Sequence, residues 1–391
     1  MNRIRIAGLI PLALLVALPA VAQDAPPPKK PASPDEIALA VRTNDEAGVV
    51  LPALEMLSPK KGGKPDHPRA MKILIDAATK GNRVAAMVLT LVYMGAYDEP
   101  PNPVEQLKWN VFLAGDTAPK ALWRTEAARD AGLAYYYGRG TPIDKVQAAR
   151  WFRVAAEGGD DDAITLYAIQ LFKGDGVPKN LPEAVRWLNI GADKGGPVAT
   201  SMLAAFYEDG EGVPKDPAKA LALYERAAAK GYRVAQYQAG ITYLREREDP
   251  AKLAKGVGYV RQAAAANYPD AMGLLGLMYL TGIGLDKDLA LSAQWLRKAA
   301  QGGNTRAMMA MIGLARESKC TAIPCEEVQD WIIKAADLGD PEGLYYTGDM
   351  YEKGVGKLAR DPAKAIDCYR RAAALGNDKA KAALARLGVA P

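Results

Sequence analysis

Histidine is almost missing from these 391 residues: His67 is the only one. A lone imidazole cannot supply a histidine-based metal cluster, and it has no partners spaced for a serine–histidine–aspartate centre. Cysteine is scarce too, at three, and no two of them stand in a C-x-x-C pair. Neither charge dominates, since the net is only +5. Discounting the first 22 residues, which hold Arg3 and Arg5, leaves +3 over 369 residues. So weak and dispersed a charge gives no electrostatic footprint for nucleic acid. Long apolar runs are absent beyond those first residues, so nothing later in the chain is expected to span a bilayer. No phosphate-binding loop or dinucleotide fingerprint occurs. Carboxylates gather at Glu208-Asp209 and Asp160-Asp161-Asp162. Helix ends and loops collect such groups, which leaves a glycosidase-like pair open without pointing to one.

What is present begins with an export signal. Arg3 and Arg5 make a basic start, Ile6 to Leu18 an apolar core, and Ala20-Val21-Ala22 a small-x-small cleavage site. The apolar run falls short of the ~20 residues of a spanning helix. Cleavage after Ala22 is therefore expected, giving a soluble periplasmic or secreted protein with no membrane insertion. Residues 23–34 carry five prolines and Lys29-Lys30 and read as an extended linker.

The rest is rhythmic. Trp151, Trp187, Leu223, Tyr259, Trp295 and Trp331 stand 36 apart, and Ala127, Ala163, Ala199, Ala235, Ala271, Ala307 and Gly343 keep the same time. A fixed period of this size means stacked supersecondary units. In the clearest unit, 197–232, Ala199, Leu203 and Tyr207 share one helical face, and Gly210 and Gly212 end the helix. Asp216-Pro217 then caps and starts a second helix, with Ala220, Leu223, Ala227 and Ala228 on its inner face. The capping slot recurs as Asp66, Asn102, Asp144, Asn180, Asp216, Asp288 and Asp361. Glycine pairs here are repeat turns and carry no nucleotide signal. The fold class is all-α, a solenoid of about nine helix-turn-helix repeats of 36 residues over 35–391. Units fall at about 35–82, 83–120, 121–160, 161–196, 197–232, 233–268, 269–304, 305–340 and 341–377, with a charged capping helix in 378–391.

The run Ala271, Leu275, Gly276, Tyr279, Gly282, Gly284, followed by Asp288, Trp295, Lys298, Ala299, Ala300 and Gly303, resembles the Sel-one-like (Sel1-like) repeat. That family is similar to the tetratricopeptide repeat, which implies antiparallel helix pairs stacked in a right-handed superhelix. Related arrays bind partners through the first helix of each pair, two and five positions after the Leu slot. Carried onto this chain, the offset implies a partner-binding groove of Leu133, Tyr136, Ile169, Phe172, Ile241, Leu244, Leu277 and Leu280. The alternative is that these side chains pack between adjacent first helices.

Four departures break the rhythm. Six extra residues between Gly115 and Glu126 bring Trp123, either a protruding contact or a longer turn with the indole folded back as packing. In the sixth unit Arg245-Glu246-Arg247-Glu248-Asp249 replaces the glycine turn and reads as an elongated, solvated, self-paired helix end. The eighth unit has Cys320 and Cys325 in place of its glycines, expected to form a disulfide that staples the turn rather than a redox couple. Cys368 occupies the tryptophan slot and reads as a buried thiol.

The expected function is non-catalytic: an exported adaptor or regulator binding one or more envelope or secreted proteins in a bacterial cell envelope, without cofactor or metal. The rival is a periplasmic enzyme acting on cell-wall or β-lactam substrates, as the resemblance suggests for cysteine-rich exported relatives. Those place disulfides in every repeat, and here only one pair exists.

Overall fold

The computed structural model describes residues 33, 37–38, 41, 45–59, 63–115 and 123–390. The signal-like segment, most of the proline-rich stretch and residues 116–122, where the insertion falls, lie outside the described residues. Nineteen α-helices account for most of what is described, without a strand among the described residues. The chain forms two compact units that divide between Leu223 and Tyr224.

The first unit holds α1 (Val50–Leu57), α2 (His67–Thr79), α3 (Arg83–Tyr93), α4 (Pro103–Gly115), α5 (Arg124–Tyr137), α6 (Lys145–Glu157), α7 (Asp161–Lys173), α8 (Leu181–Asp193) and α9 (Pro197–Asp209). The boundary falls inside α10 (Pro217–Ala228). The second unit continues with α11 (Arg233–Arg245), α12 (Pro250–Ala265), α13 (Pro269–Thr281), α14 (Leu289–Gln301), α15 (Thr305–Glu317), α16 (Cys325–Asp337), α17 (Pro341–Lys353), α18 (Pro362–Ala374) and α19 (Asp378–Arg386). Within each unit every helix packs on the next, and first helices of successive pairs also touch at α7–α9, α13–α15 and α15–α17.

Local chemistry explains the boundaries. Each of the seven sequence-named capping residues, Asp66 through Asp361, accepts a hydrogen bond from a backbone N–H in the first turn of its helix. Those bonds satisfy donors that an isolated helix leaves open. First helices carry caps as well, which the sequence reading passed over: Asn82, Asp160, Asn304 and Asp340 accept from the amides of Ala85, Ala163, Ala307 and Gly343.

The two turn glycines do different things. Gly174 ends α7 in the left-handed region at φ 73°, the ordinary role of a C-terminal glycine. Gly176, at φ 80°, is pressed onto the start of the preceding pair's second helix, where a Cβ would collide with the Lys145 carbonyl. The second glycine is thus demanded by close approach as much as by backbone angle.

Inside a pair, small residues on the first helix face large ones on the second. A Cβ on Gly132 would sit 2.5 Å from the Phe152 ring, and one on Gly276 2.8 Å from Leu296. Phe152 and Leu296 are fully buried, as are the alanine pairs Ala155-Ala156 and Ala299-Ala300. Trp151 and Trp187, each 6% exposed, fill the space beside them.

The sixth unit corrects one expectation. The charged run does not lengthen α11, which ends on schedule at Arg245; residues 246–248 form the turn, and Asp249 caps a 16-residue α12 that starts early. The run is solvent-exposed, and Glu246 pairs with Lys252. Asp249-Pro250 decides the matter, because an aspartate cap followed by proline starts a helix rather than extending one.

Candidate interaction surface

The implied groove residues divide between the two units. In the first, Leu133 is half-buried on α5, and Ile169 is 6% exposed on α7, fully enclosed by its neighbours. Tyr136 is held on several sides: its ring lies 5.0 Å from Tyr137 and 6.2 Å from Phe152, with the Lys145 ammonium 3.0 Å from its centroid. Burial and the neighbouring Asp175 carboxylate push its phenol above the usual tyrosine range. Phe172 is packed edge-on against Phe206 of α9 at 5.4 Å, with Lys179 over its ring at 5.3 Å.

In the second unit Ile241, Leu244, Leu277 and Leu280 are all half-buried. Leu244 packs over Gly256 of α12, where a Cβ would lie 2.9 Å from its Cγ. Leu280 lies beside Gly313 of α15. Tyr136, Phe172 and Leu244 therefore spend much of their surface on neighbouring helices. Leu133, Ile241 and Leu277 are half-buried on their first helices.

Trp123 stands at the start of α5 with φ 63°, half-buried. It forms one wall of a half-open cavity of about 250 Å³ between α3, α4 and α5. Met87, Leu91, Met94 and Leu113 make most of the remaining lining. Two polar features interrupt it. Asn110, 4% exposed, contributes to the wall. Glu126 and Asp130 lie along the rim, Asp130 paired with Arg129 at 3.2 Å. The 36-residue rhythm could not reveal this cavity; the only trace in the sequence was the surplus tryptophan.

In the eighth unit Cys320 and Cys325 are joined by a disulfide, with Cα atoms 5.5 Å apart. Cys320 keeps φ 64° in the slot of the second turn glycine, beside Lys319 at φ 49°. Left-handed backbone costs a non-glycine residue ~1–2 kcal/mol. The crosslink and the Cys320 amide bond to the Ala315 carbonyl hold it there. Cys368 is 8% exposed, and burial raises its thiol above the usual range, which disfavours the nucleophilic thiolate. His67 opens α2 in a half-buried position rather than an exposed one, because its Nδ1 meets the Glu99 carboxylate. Among the described residues no cluster of three or more His, Cys, Asp or Glu could hold a metal ion. No helix among them is long and apolar enough to cross a membrane.

Stacked helix pairs with apolar side chains left partly open on their first helices define a helical-repeat protein. The Sel1 repeat model matches residues 125–160, 162–196, 197–232, 269–304 and 341–377. The chain belongs to the Sel1 repeat family, whose members generally mediate protein interactions and are typically non-catalytic. Its fold is similar to the crystal structure of a protective antigen present in uropathogenic Escherichia coli strains, at 26% identity and TM-score 0.61 over 81% of this chain and 67% of that one. It is also similar to a Sel1 repeat protein from Oxalobacter formigenes, at 26% identity and TM-score 0.62 over 86% and 94% of the two chains. A mouse protein, DAP3-binding cell death enhancer 1, is 31% identical over 102 residues, which is 26% of this chain and 19% of that protein.

Proposed function

We propose that this chain is an exported adaptor or regulator that captures one or more proteins in a bacterial cell envelope. The observation carrying the reading is the set of half-buried apolar residues on the first helices, Leu133, Ile241 and Leu277 among them. Such side chains remain partly in water and gain by meeting a partner. The signal-like start at residues 1–22 supports export. The likeness to a protective antigen of a Gram-negative bacterium and to a relative named for binding another protein fits the same picture.

Crosslinking capture from an envelope fraction tests the proposal, with wild type and a Leu133→Glu/Leu277→Glu variant as baits. One envelope protein lost from the variant, while circular dichroism and the melting temperature are retained, is the expected result. Recovery of identical proteins by both baits would sink the first-helix assignment. Mass spectrometry of the mature amino terminus checks export, with Gln23 expected first.

A further inference from the structure

The end of α5 and the turn after it carry an apolar patch that the repeat does not call for. Ile143 and Val146 are each 63% exposed, Val104 59% and Tyr137 38%. The turn between α5 and α6 joins them: a Cβ on Gly138 would lie 3.0 Å from Ile143 Cγ1, and one on Gly140 2.6 Å from the Val104 nitrogen. Later units fill the same slots differently. Tyr137 is followed at 36-residue steps by Lys173, Asp209, Arg245, Thr281, Glu317 and Lys353. Ile143 stands in the slot of Lys179, Lys215 and Lys287, and Val146 in that of Pro182, Ala218 and Ala290. Contiguous apolar side chains left in water mark a surface that something covers.

The lengths of the neighbouring segments outside the described residues decide what that is. Residues 116–122 are tethered at Gly115 and Trp123, so they extend at most ~14 Å from those anchors. Tyr137 lies ~21 Å along α5 from Trp123, and Val104 ~16 Å along α4 from Gly115. The proline-rich residues 23–32 have the reach. Ile37, fully buried, lines the cavity beside Glu126, Ala127 and Asp130, and its amide donates to the Ser33 carbonyl at 3.0 Å. The chain upstream of Ser33 therefore starts near the first half of α5. From Asp130 the same helical face continues through Leu133 to Tyr137, ~10 Å further on. A proline-rich chain advances ~3.1 Å per residue, which puts Pro26, Pro27 and Pro28 ~15–22 Å from Ser33 when extended. That span takes them to Tyr137 and Ile143, while Lys29 and Lys30 pass the Glu126 and Asp130 carboxylates.

We propose that residues 23–32 of this chain dock along α5, with Pro26, Pro27 and Pro28 covering Val104, Tyr137, Ile143 and Val146. A proline-rich segment suits this surface, because it is extended beforehand and loses little entropy on seating against aromatic rings. Tyr136 and Tyr137, 5.0 Å apart, supply those rings. The docked segment crosses Leu133, so a captured partner must displace it there. That consequence rests on the capture reading above; the docking does not.

The test uses the full chain with ¹³C-labelled isoleucine and valine methyls. Pro26→Gly/Pro27→Gly/Pro28→Gly is expected to shift the Val104, Ile143 and Val146 signals and to leave Ile169, Ile241 and the melting temperature unchanged. Lys29→Glu/Lys30→Glu should move the same three signals part of the way. Patch signals that coincide in wild type and the triple-glycine variant would overturn the docking and leave the patch to another protein. Labelled triple-glycine chain mixed with a tenfold excess of unlabelled wild type should keep its shifted signals. Their return to the wild-type positions would overturn docking within one chain, in favour of a second copy. In the envelope capture, the triple-glycine bait should recover at least twofold more partner than wild type. Equal recovery beside shifted methyls overturns the competition at Leu133 and leaves the docking standing. Failure of both baits to capture anything overturns the adaptor reading alone.

Discussion

At the scale of single residues, the repeat works as an internal control, because each slot shows what its neighbours hold. Gln170 is 1% exposed on α7, and neither its Nε2 nor its Oε1 has a hydrogen-bond partner. The same slot holds Phe206, Met278, Leu314 and Met350, all buried. Leaving a buried amide unsatisfied costs about 1–3 kcal/mol. Gln170→Met is therefore expected to raise the melting temperature, by an amount worth ~1–2 kcal/mol, and chemical denaturation reads it directly. A fall in stability would mean that the carboxamide finds a partner in solution. The disulfide is a second residue-scale device. Reducing it, or substituting Cys320→Ser with Cys325→Ser, should cost ~2 kcal/mol, since it closes so short a loop. Cys320→Gly with Cys325→Ala should recover part of that loss by relieving the left-handed backbone at 320.

At the scale of elements, helix approach and end-docking decide stability. Gly132→Ala improves helix propensity by ~1 kcal/mol yet drives a methyl into the Phe152 ring. The net expectation is destabilisation of about 1–3 kcal/mol, relieved when Phe152→Leu is added. Equal stability of Gly132→Ala and wild type in a thermal melt would show that α5 and α6 can separate without loss. The last helix is fastened by charge. Glu352 Oε2 accepts from Tyr369 Oη at 2.8 Å and from Arg386 Nη2 at 2.7 Å, which hold its carboxyl below the usual range. A depressed folded-state pKa means the contribution is complete above the unfolded value of ~4.3 and is lost as pH falls through the folded value. Amide exchange in α19 should accelerate below about pH 4, and Glu352→Gln should remove that pH dependence.

At the scale of the molecule, stability is expected to be a sum over neighbours rather than the property of one core, because each helix packs on those next to it in order and at most on the next first helix beyond. Trp187→Ala should cost ~3–5 kcal/mol locally. Hydrogen exchange should register that loss across α7 to α9 and leave α15 to α19 unchanged. Uniform loss of protection along the whole chain would instead mean that the two compact units unfold as one. Capture of partners is expected to follow the same locality, failing unit by unit as surfaces are altered.

The sequence determined the helices, their caps and their turns, because these are local physics. A cap and the amide it serves lie within three residues, an amphipathic face repeats every 3.6, and recurrence at 36 lets a weak signal be read many times. It also marked Trp123 as surplus. Tertiary structure alone decided which surfaces stay open. Tyr136, Phe172 and Leu244 occupy the same kind of slot as Leu133, yet Lys145, Phe206 and Gly256, each from a neighbouring helix or turn, occupy much of their surface. Asn110 carries no local mark at all. Its burial beside the cavity exists only because α3, α4 and α5 meet around it, and that depends on residues far apart in the chain brought together by packing.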